Sequence, residues 1–394
     1  MVLINWISIS PPLLNSSCAW SSDRTQLTEL YESPYTGAVT TRSATLEGFK
    51  EDYTHTVAFT NDSLTSINAY GYSPHPLSKY LEWVEEILTS HPNSTKPIII
   101  SVATAEPKVL QKMLGDIQAL RHKLLDNQAP KGKARIAVEL NTSCPNFPDA
   151  VPPAYDPIDK MFPLLLMAAD TFVEDYTLTI GVKLPPYLMR EQFAHCVHGF
   201  VPLVSTLDGE RRSAISFVTS INTVGNAMLP SSLAKPIALV DKSEAPDTPK
   251  PPSKELEASS STSTQGDNGR EHNLPNGGDS SKGNQTETAH RLFMSNLFPK
   301  PSDPSQYALP GAYGGLGGEA IHAIALGNVY SFRQIIDSDM LVRSGLSGIK
   351  IIGVGGVTSK DAVGRMKAAG ADAVACATFF GKNGVKAFEI LGKE

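Results

Sequence analysis

Short apolar runs recur along this chain, separated by longer stretches with a helical period. The runs predict strands at 12–15, 37–42, 97–103, 134–141, 178–184, 214–222, 349–356 and 371–378. The clearest are Pro97-Ile98-Ile99-Ile100-Ser101-Val102 and Ile349-Lys350-Ile351-Ile352-Gly353. The intervening stretches predict helices at 25–33, 77–90, 106–126, 157–175, 190–207, 317–338 and 359–370. In the second of these, Leu77, Tyr80, Leu81, Val84 and Leu88 recur at spacings of three and four and form one apolar face. Strands that alternate with helices imply right-handed βαβ units and a parallel sheet. Eight such strands fit a (β/α)8 TIM barrel; a doubly wound open sheet is the alternative. Polar, chemically useful residues follow nearly every strand rather than one switch point, which favours the barrel.

One region breaks the alternation. Residues 242–305 are rich in Ser, Pro, Gly, Asn, Asp and Glu, and include Pro249-Lys250-Pro251-Pro252 and Ser259-Ser260-Ser261-Thr262-Ser263-Thr264. Such a segment buries too little apolar surface to offset the entropy of ordering it. It is expected to be a disordered insertion within a single domain spanning 1–394. Leu292-Phe293-Met294 and Leu297-Phe298 could form a short docking helix near its end.

Composition narrows the class. The 394 residues are 41% hydrophobic and 19% charged, as in ordinary globular proteins. A net charge of −6 without a basic cluster argues against nucleic acid as a partner. Cys18, Cys144, Cys196 and Cys376 are far apart, which argues against an internal metal or iron–sulfur site and suits a reducing, cytoplasmic compartment. The apolar start, Met1 to Leu14, lacks a basic n-region, and no run reaches the length of a membrane span.

The candidate chemistry lies just past the strands. Ile136 to Leu140 is apolar apart from Glu139, and the run continues as Asn141-Thr142-Ser143-Cys144-Pro145-Asn146. Two carboxamides and a thiol therefore follow a strand end, where parallel α/β proteins place their ligands. A cysteine there can act as a base or nucleophile if its thiolate is accessible; a buried cysteine in a turn satisfies the same pattern. Ser66-Ile67-Asn68 and Ser220-Ile221-Asn222-Thr223 repeat the theme, so Asn68, Asn141, Asn146 and Asn222 could converge on one polar, planar ligand. Lys183, alone in the apolar run Gly181-Val182-Lys183-Leu184, suits a barrel interior facing an anionic or electron-rich cofactor. Gly353-Val354-Gly355-Gly356 and Ala377-Thr378 follow the last two strands, where barrels often bind phosphate. Gly311 to Gly318 precedes a predicted helix and reads as a ligand-binding turn or as a hinge leaving the insertion.

The order of these motifs resembles the dihydroorotate dehydrogenase family, most closely its soluble, fumarate-using class 1A. The motifs that carry the resemblance are Asn141 to Asn146, Gly181 to Pro186, Ser220 to Asn226, Gly314-Gly315-Leu316-Gly317-Gly318 and Gly353 to Gly356. The resemblance implies an FMN-containing barrel, usually a homodimer, that oxidises dihydroorotate to orotate in pyrimidine synthesis and is reoxidised by fumarate. In it, Asn68, Asn141, Asn146, Asn222 and Thr223 would hold the pyrimidine. Cys144 would take a proton from C5 while hydride passes from C6 to flavin N5. Ser17, Arg42, Ser43, Asn141, Lys183, Gly317, Gly318, Gly355, Gly356, Ala377 and Thr378 would bind the cofactor.

The sequence departs from that pattern in several places. Arg42 stands where the family has lysine, which keeps the charge in a bulkier, forked group. Asn15-Ser16-Ser17-Cys18 replaces Asn-Ala-Ser-Gly, Tyr70 and Tyr72 replace Met and Leu, and Ala377 replaces a glycine. A C-terminal helix usual in the class is expected to be absent, since the chain stops at Glu394. These departures keep two alternatives open: a related FMN oxidoreductase with another acceptor or dihydropyrimidine, and a non-catalytic flavin-binding paralogue.

Overall fold

The computed structural model describes residues 1–146, 151–236 and 303–393, all within one compact unit. Eight parallel strands form a closed barrel: Leu13–Asn15, Val39–Thr40, Ile98–Val102, Ile136–Asn141, Thr179–Leu184, Phe217–Ser220, Lys350–Val354 and Ala373–Cys376. Each pairs with the next in sequence, and the eighth returns to the first, Val374 opposite Leu13. A single parallel bridge, Leu14 to Ala38, joins the first strand to the second and completes the ring. All eight expected strands are present.

The side-chain period of two divides each strand between two cores. Ile98, Ile100, Val138, Leu140, Ile180 and Val182 face the surrounding helices. Leu14, Ala38, Ile99, Ala137, Phe217 and Ile352 fill the interior, where Ile4, Ile7 and Ile9 join them. Those three isoleucines come from an antiparallel hairpin, Val2–Ile4 with Ile7–Ile9. The apolar start of the chain therefore joins the interior core.

The outer helices follow the expected pattern with three differences. The helix expected over 190–207 covers only Arg190–His198; Val204–Leu207 turns back on Glu210–Ser213 as a hairpin. The helix expected to open at 317 begins later, as a 3-10 turn at Glu319–Ile321 followed by His322–Ile336. After the eighth strand, Thr378–Asn383 and Lys386–Gly392 are both helical, so the end of the chain carries helical segments that the sequence reading did not expect. Among the described residues no helix is long and apolar enough to cross a membrane.

A five-stranded antiparallel sheet was not expected. Its order is Val224–Met228, Tyr313–Gly318, Thr65–Asn68, Val57–Thr60 and Ala234–Pro236. The segment Gly311 to Gly318, read as a ligand-binding turn or a hinge, is thus largely an interior strand of this sheet, between Val224–Met228 and Thr65–Asn68. Its glycines let neighbours approach, and the backbone ladder supplies what their side chains do not. The proposed docking helix and nearly all of 242–305 lie outside the described residues.

Candidate active site

The loop after the fourth strand is held by its own polar groups. Thr142 donates through Oγ1 to the Lys183 carbonyl at 2.9 Å, tying the loop to the fifth strand. Asn141 Oδ1 accepts from the Ser143 amide and hydroxyl, both at 3.3 Å. Asn222, past the sixth strand, donates to Ser143 Oγ at 3.0 Å and to Asn141 Oδ1 at 3.4 Å. On the far side, Asn146 donates to Asn68 Oδ1 at 3.0 Å and to the Tyr70 carbonyl at 2.7 Å. Asn68 in turn donates to the Gly315 carbonyl at 3.1 Å, across the antiparallel sheet. The four asparagines thus form two linked pairs around one cavity, whose space is about 690 Å³ including its open mouth.

That cavity is lined by Ser17, Arg42, Ser43, Asn68, Asn141, Cys144, Asn146, Asn222, Thr223, Ala377 and Thr378 among others, so most of the expected site residues meet there. A second cavity adjoins it through Asn222, Thr223, Ala377 and Thr378, and adds Gly317, Gly318, Gly355 and Gly356. Here backbone geometry demands glycine. Gly318 has φ +78°, and a Cβ on it would lie 2.1 Å from the Leu64 carbonyl oxygen. Gly356 has φ +65°, and a Cβ would collide with His322. His322 holds this turn, with Nδ1 2.8 Å from the Gly355 carbonyl and Nε2 accepting from Arg365 Nε at 3.1 Å.

Cys144 is buried, 8% exposed, at the wall of the larger cavity. Burial pushes its thiol above the ordinary value, opposed by the Asn146 backbone N–H and by the charges of Lys183 and Arg42. Burial also raises the Tyr72 phenol, with the neighbouring Cys144 adding to the effect. Cys18, which lines the same cavity, is likewise raised by burial.

Two expected residues sit differently from the sequence reading. Lys183 points into the barrel but does not line either cavity; its Nζ donates to the Ser17 carbonyl at 3.3 Å. Arg42 does line the larger cavity, but its guanidinium is engaged by Glu51, donates to the Gly71 carbonyl at 3.3 Å and lies over the Tyr70 ring at 5.2 Å. Three contributors were missed. Ser66, whose Oγ is 2.8 Å from Thr378 Oγ1, and Trp20 both line the cavity, and Glu51 fixes Arg42. No sequence spacing signals them: Ser66 meets Thr378, 312 residues away, and Glu51 reaches Arg42 only through the fold of the loop between them.

A family model described as dihydroorotate dehydrogenase matches residues 301–394. A protein of Saccharomyces paradoxus named dihydroorotate dehydrogenase (fumarate) is 26% identical over 384 residues, 97% of this chain and 88% of its own length. The chain is thus similar, over nearly its whole length, to a protein named dihydroorotate dehydrogenase (fumarate). Family members of the same name from Kluyveromyces lactis and Lachancea kluyveri are each 30% identical over 217 residues, 55% of this chain. In those two matches the chain spans 59% of the relative's length. Within this barrel, the Cys144 loop and the glycine strand are built by different segments. The loop follows the fourth strand, and Tyr313–Gly318 lies in the antiparallel sheet.

Proposed function

We propose that this protein is an FMN-dependent oxidoreductase of the class 1A type, which oxidises dihydroorotate to orotate and passes the electrons to fumarate in pyrimidine synthesis. The observation that carries the reading is the meeting of Cys144 with four carboxamides in one cavity, beside a second cavity walled by glycine backbone. The residues fit FMN. The smaller cavity lets an anionic phosphate approach the backbone at Gly317, Gly318, Gly355 and Gly356, with the Thr378 hydroxyl beside them. The larger cavity supplies polar edges for a flat ring. Bound FMN would accept hydride from the substrate and pass its electrons on.

The chain's own groups do the remainder. Asn68, Asn146, Asn222 and Asn141 present donors and acceptors that a pyrimidine carboxylate can satisfy, replacing their bonds to one another. Thr223 adds a hydroxyl. Cys144 Sγ takes the proton at C5, and Lys183 and Arg42 favour the thiolate that this requires. Lys183, buried beside Ser17, supplies positive charge to the cavity floor.

One observation favours a second reading. Glu51 neutralises Arg42, which leaves less free positive charge for a carboxylate at that rim than an unpaired cation would give. A dihydropyrimidine without a carboxylate, or an acceptor other than fumarate, is the corresponding alternative.

The barrel is read as one domain carrying 242–305 as an insertion. A cytoplasmic homodimer is also proposed. Four free thiols suit a reducing compartment. Tyr155, Ile158, Leu188 and Met189 offer exposed apolar surface on two segments joined by the Tyr187 hydroxyl bond to the Ala154 carbonyl at 3.0 Å. Light scattering on the purified protein tests the dimer.

Anaerobic titration of the FMN-loaded protein with dihydroorotate tests the activity. Bleaching of the visible flavin absorption followed by recovery with fumarate is expected. Bleaching without recovery would reassign the acceptor. No bleaching would reassign the substrate.

A further inference from the structure

A charge in the barrel interior has no place in the chemistry above. Glu139 lies on the fourth strand, 2% exposed, and no ion pair among the described residues involves it. Its two oxygens accept from hydroxyls instead: Oε1 from Ser101 at 3.2 Å and Oε2 from Thr219 at 2.6 Å. From Ser101 a chain of oxygens runs outward. Ser101 Oγ is 2.8 Å from Ser43 Oγ, and Ser43 Oγ is 3.0 Å from Ser17 Oγ. Asn141 Nδ2 also donates to Ser43 Oγ, at 2.8 Å. Ser17, Ser43 and Asn141 all line the larger cavity; Ser101 and Glu139 do not.

Counting protons fixes every direction in this chain. A serine hydroxyl has one proton and two lone pairs. Ser101 gives its proton to Glu139, so it can only accept from Ser43. Ser43 has then spent its proton, and accepts from both Ser17 and Asn141, which fills its lone pairs. Ser17 has spent its proton on Ser43 and meets the cavity only as an acceptor. Asn141 is held with its amine toward Ser43 and its carbonyl toward Asn222 and Ser143, leaving its second N–H available.

We propose that Glu139 is a positioning residue that sets the hydrogen-bond polarity of the cavity floor. It holds Ser17 as an acceptor beside Asn141 as a donor, for a ring edge carrying an N–H next to a C=O. Both the oxidised isoalloxazine, whose one N–H is N3 between two carbonyls, and a pyrimidine carry such an edge. The identity of the ring rests on the function proposed above; the polarity does not.

The test compares two variants that each remove one hydroxyl bond to Glu139 but differ in their link to the cavity. Ser101→Ala cuts the chain. Thr219→Val removes the other hydroxyl and leaves the chain whole. Flavin-free protein is titrated with FMN and with 3-methyl-FMN, and FMN-loaded protein with orotate and its N-methyl derivatives. The unaltered protein is expected to prefer the N–H form of one ligand pair at least tenfold, and the pair that shows it identifies the ring. T219V should keep that ratio, and S101A should lose about tenfold of it. Equal ratios in S101A and the unaltered protein, equal losses in both variants, or no preference in either ligand pair would overturn the proposal. Should S101A fail to fold, Ser101→Cys keeps the shape with a weaker hydrogen-bonding group and should lose part of the ratio. Failure of the unaltered protein to take up FMN would sink the flavin reading alone. The Asn141 side-chain amide resonances of the flavin-free protein would then test the chain, shifting in S101A and not in T219V if the polarity is as proposed.

Discussion

Of the cations buried among the described residues, Arg121 and Lys183 are treated in opposite ways. Arg121, fully buried on the helix Pro107–Lys123, is surrounded by acceptors. It bonds Asp126 at 3.2 Å, Asp175 at 2.6 Å, Gln118 at 2.7 Å and Thr177 at 2.8 Å. Lys183, 5% exposed near the opposite end, donates to one backbone carbonyl and makes no ion pair among the described residues. Arg121 has its charge cancelled where the chain turns into the fifth strand, which fastens helix to loop. Lys183 has only the Ser17 carbonyl as a hydrogen-bond partner among the described residues, beside the cavity that Ser17 lines. The contrast separates a residue that holds the fold from one held ready by it.

The sharpest way to break that contrast is to remove Arg121 and Lys183 one at a time. Arg121→Ala strands Asp126 and Asp175 in a buried site, and should cost about 3–5 kcal/mol of stability in urea denaturation. Activity per folded molecule should hardly change. Lys183→Ala should do the reverse, with a loss of about 10²–10³ in kcat, or about 2.7–4 kcal/mol of barrier, and little change in the urea midpoint. Equal destabilisation by the two would erase the distinction.

The pH profile sharpens it further. In the proposed reaction the base is the Cys144 thiolate, and burial holds the thiol above its ordinary value. The rate should therefore rise about tenfold per pH unit, about 1.4 kcal/mol, and still be rising at about pH 9. The linked stability has the opposite sign. A thiol whose folded pKa is raised contributes nothing below the unfolded value of about 8.5 and costs stability as pH rises above it. A profile already flat at neutral pH would remove Cys144 as the base. The smallest effect belongs to a surface site far from either cation. Gly327 is exposed in the helix His322–Ile336, and a Cβ added there would meet nothing within 4 Å. Gly327→Ala should therefore add about 0.5–1 kcal/mol of stability and leave kcat alone.

The barrel was legible because each strand is buried on both sides and reads as an unbroken apolar run. The antiparallel sheet was not. Tyr313–Gly318 is mostly glycine and has no strand propensity of its own, and its partner Thr65–Asn68 is remote in sequence. The helix expected over 190–207 overran because Val201 and Leu203 continue the apolar spacing past Gly199, where the backbone in fact turns. At the site, Asn68, Asn141, Asn146, Asn222 and Cys144 were readable from their places after strands, and the structure brings them to one cavity. Lys183 was legible as a charge in an apolar strand. Glu139 carries the same signal but no legible role, since its partners Ser101 and Thr219 come from two other strands. The pairing of Arg42 with Glu51 and Tyr70 depends on how one long loop folds back, which no local pattern encodes.

The pairing of Val374 with Leu13 also dictates when a growing chain becomes useful. On the ribosome, at about 5–20 residues per second, the first strand waits roughly 20–70 s for the eighth. Until then Leu13–Asn15 has an unpaired edge, and the cavity wall lacks Ala377 and Thr378. A message cut short, or a ribosome that stalls before Thr378, would yield a product that lacks part of the proposed FMN site. Uptake of FMN, if the proposed site binds it, would then report that synthesis had passed that point.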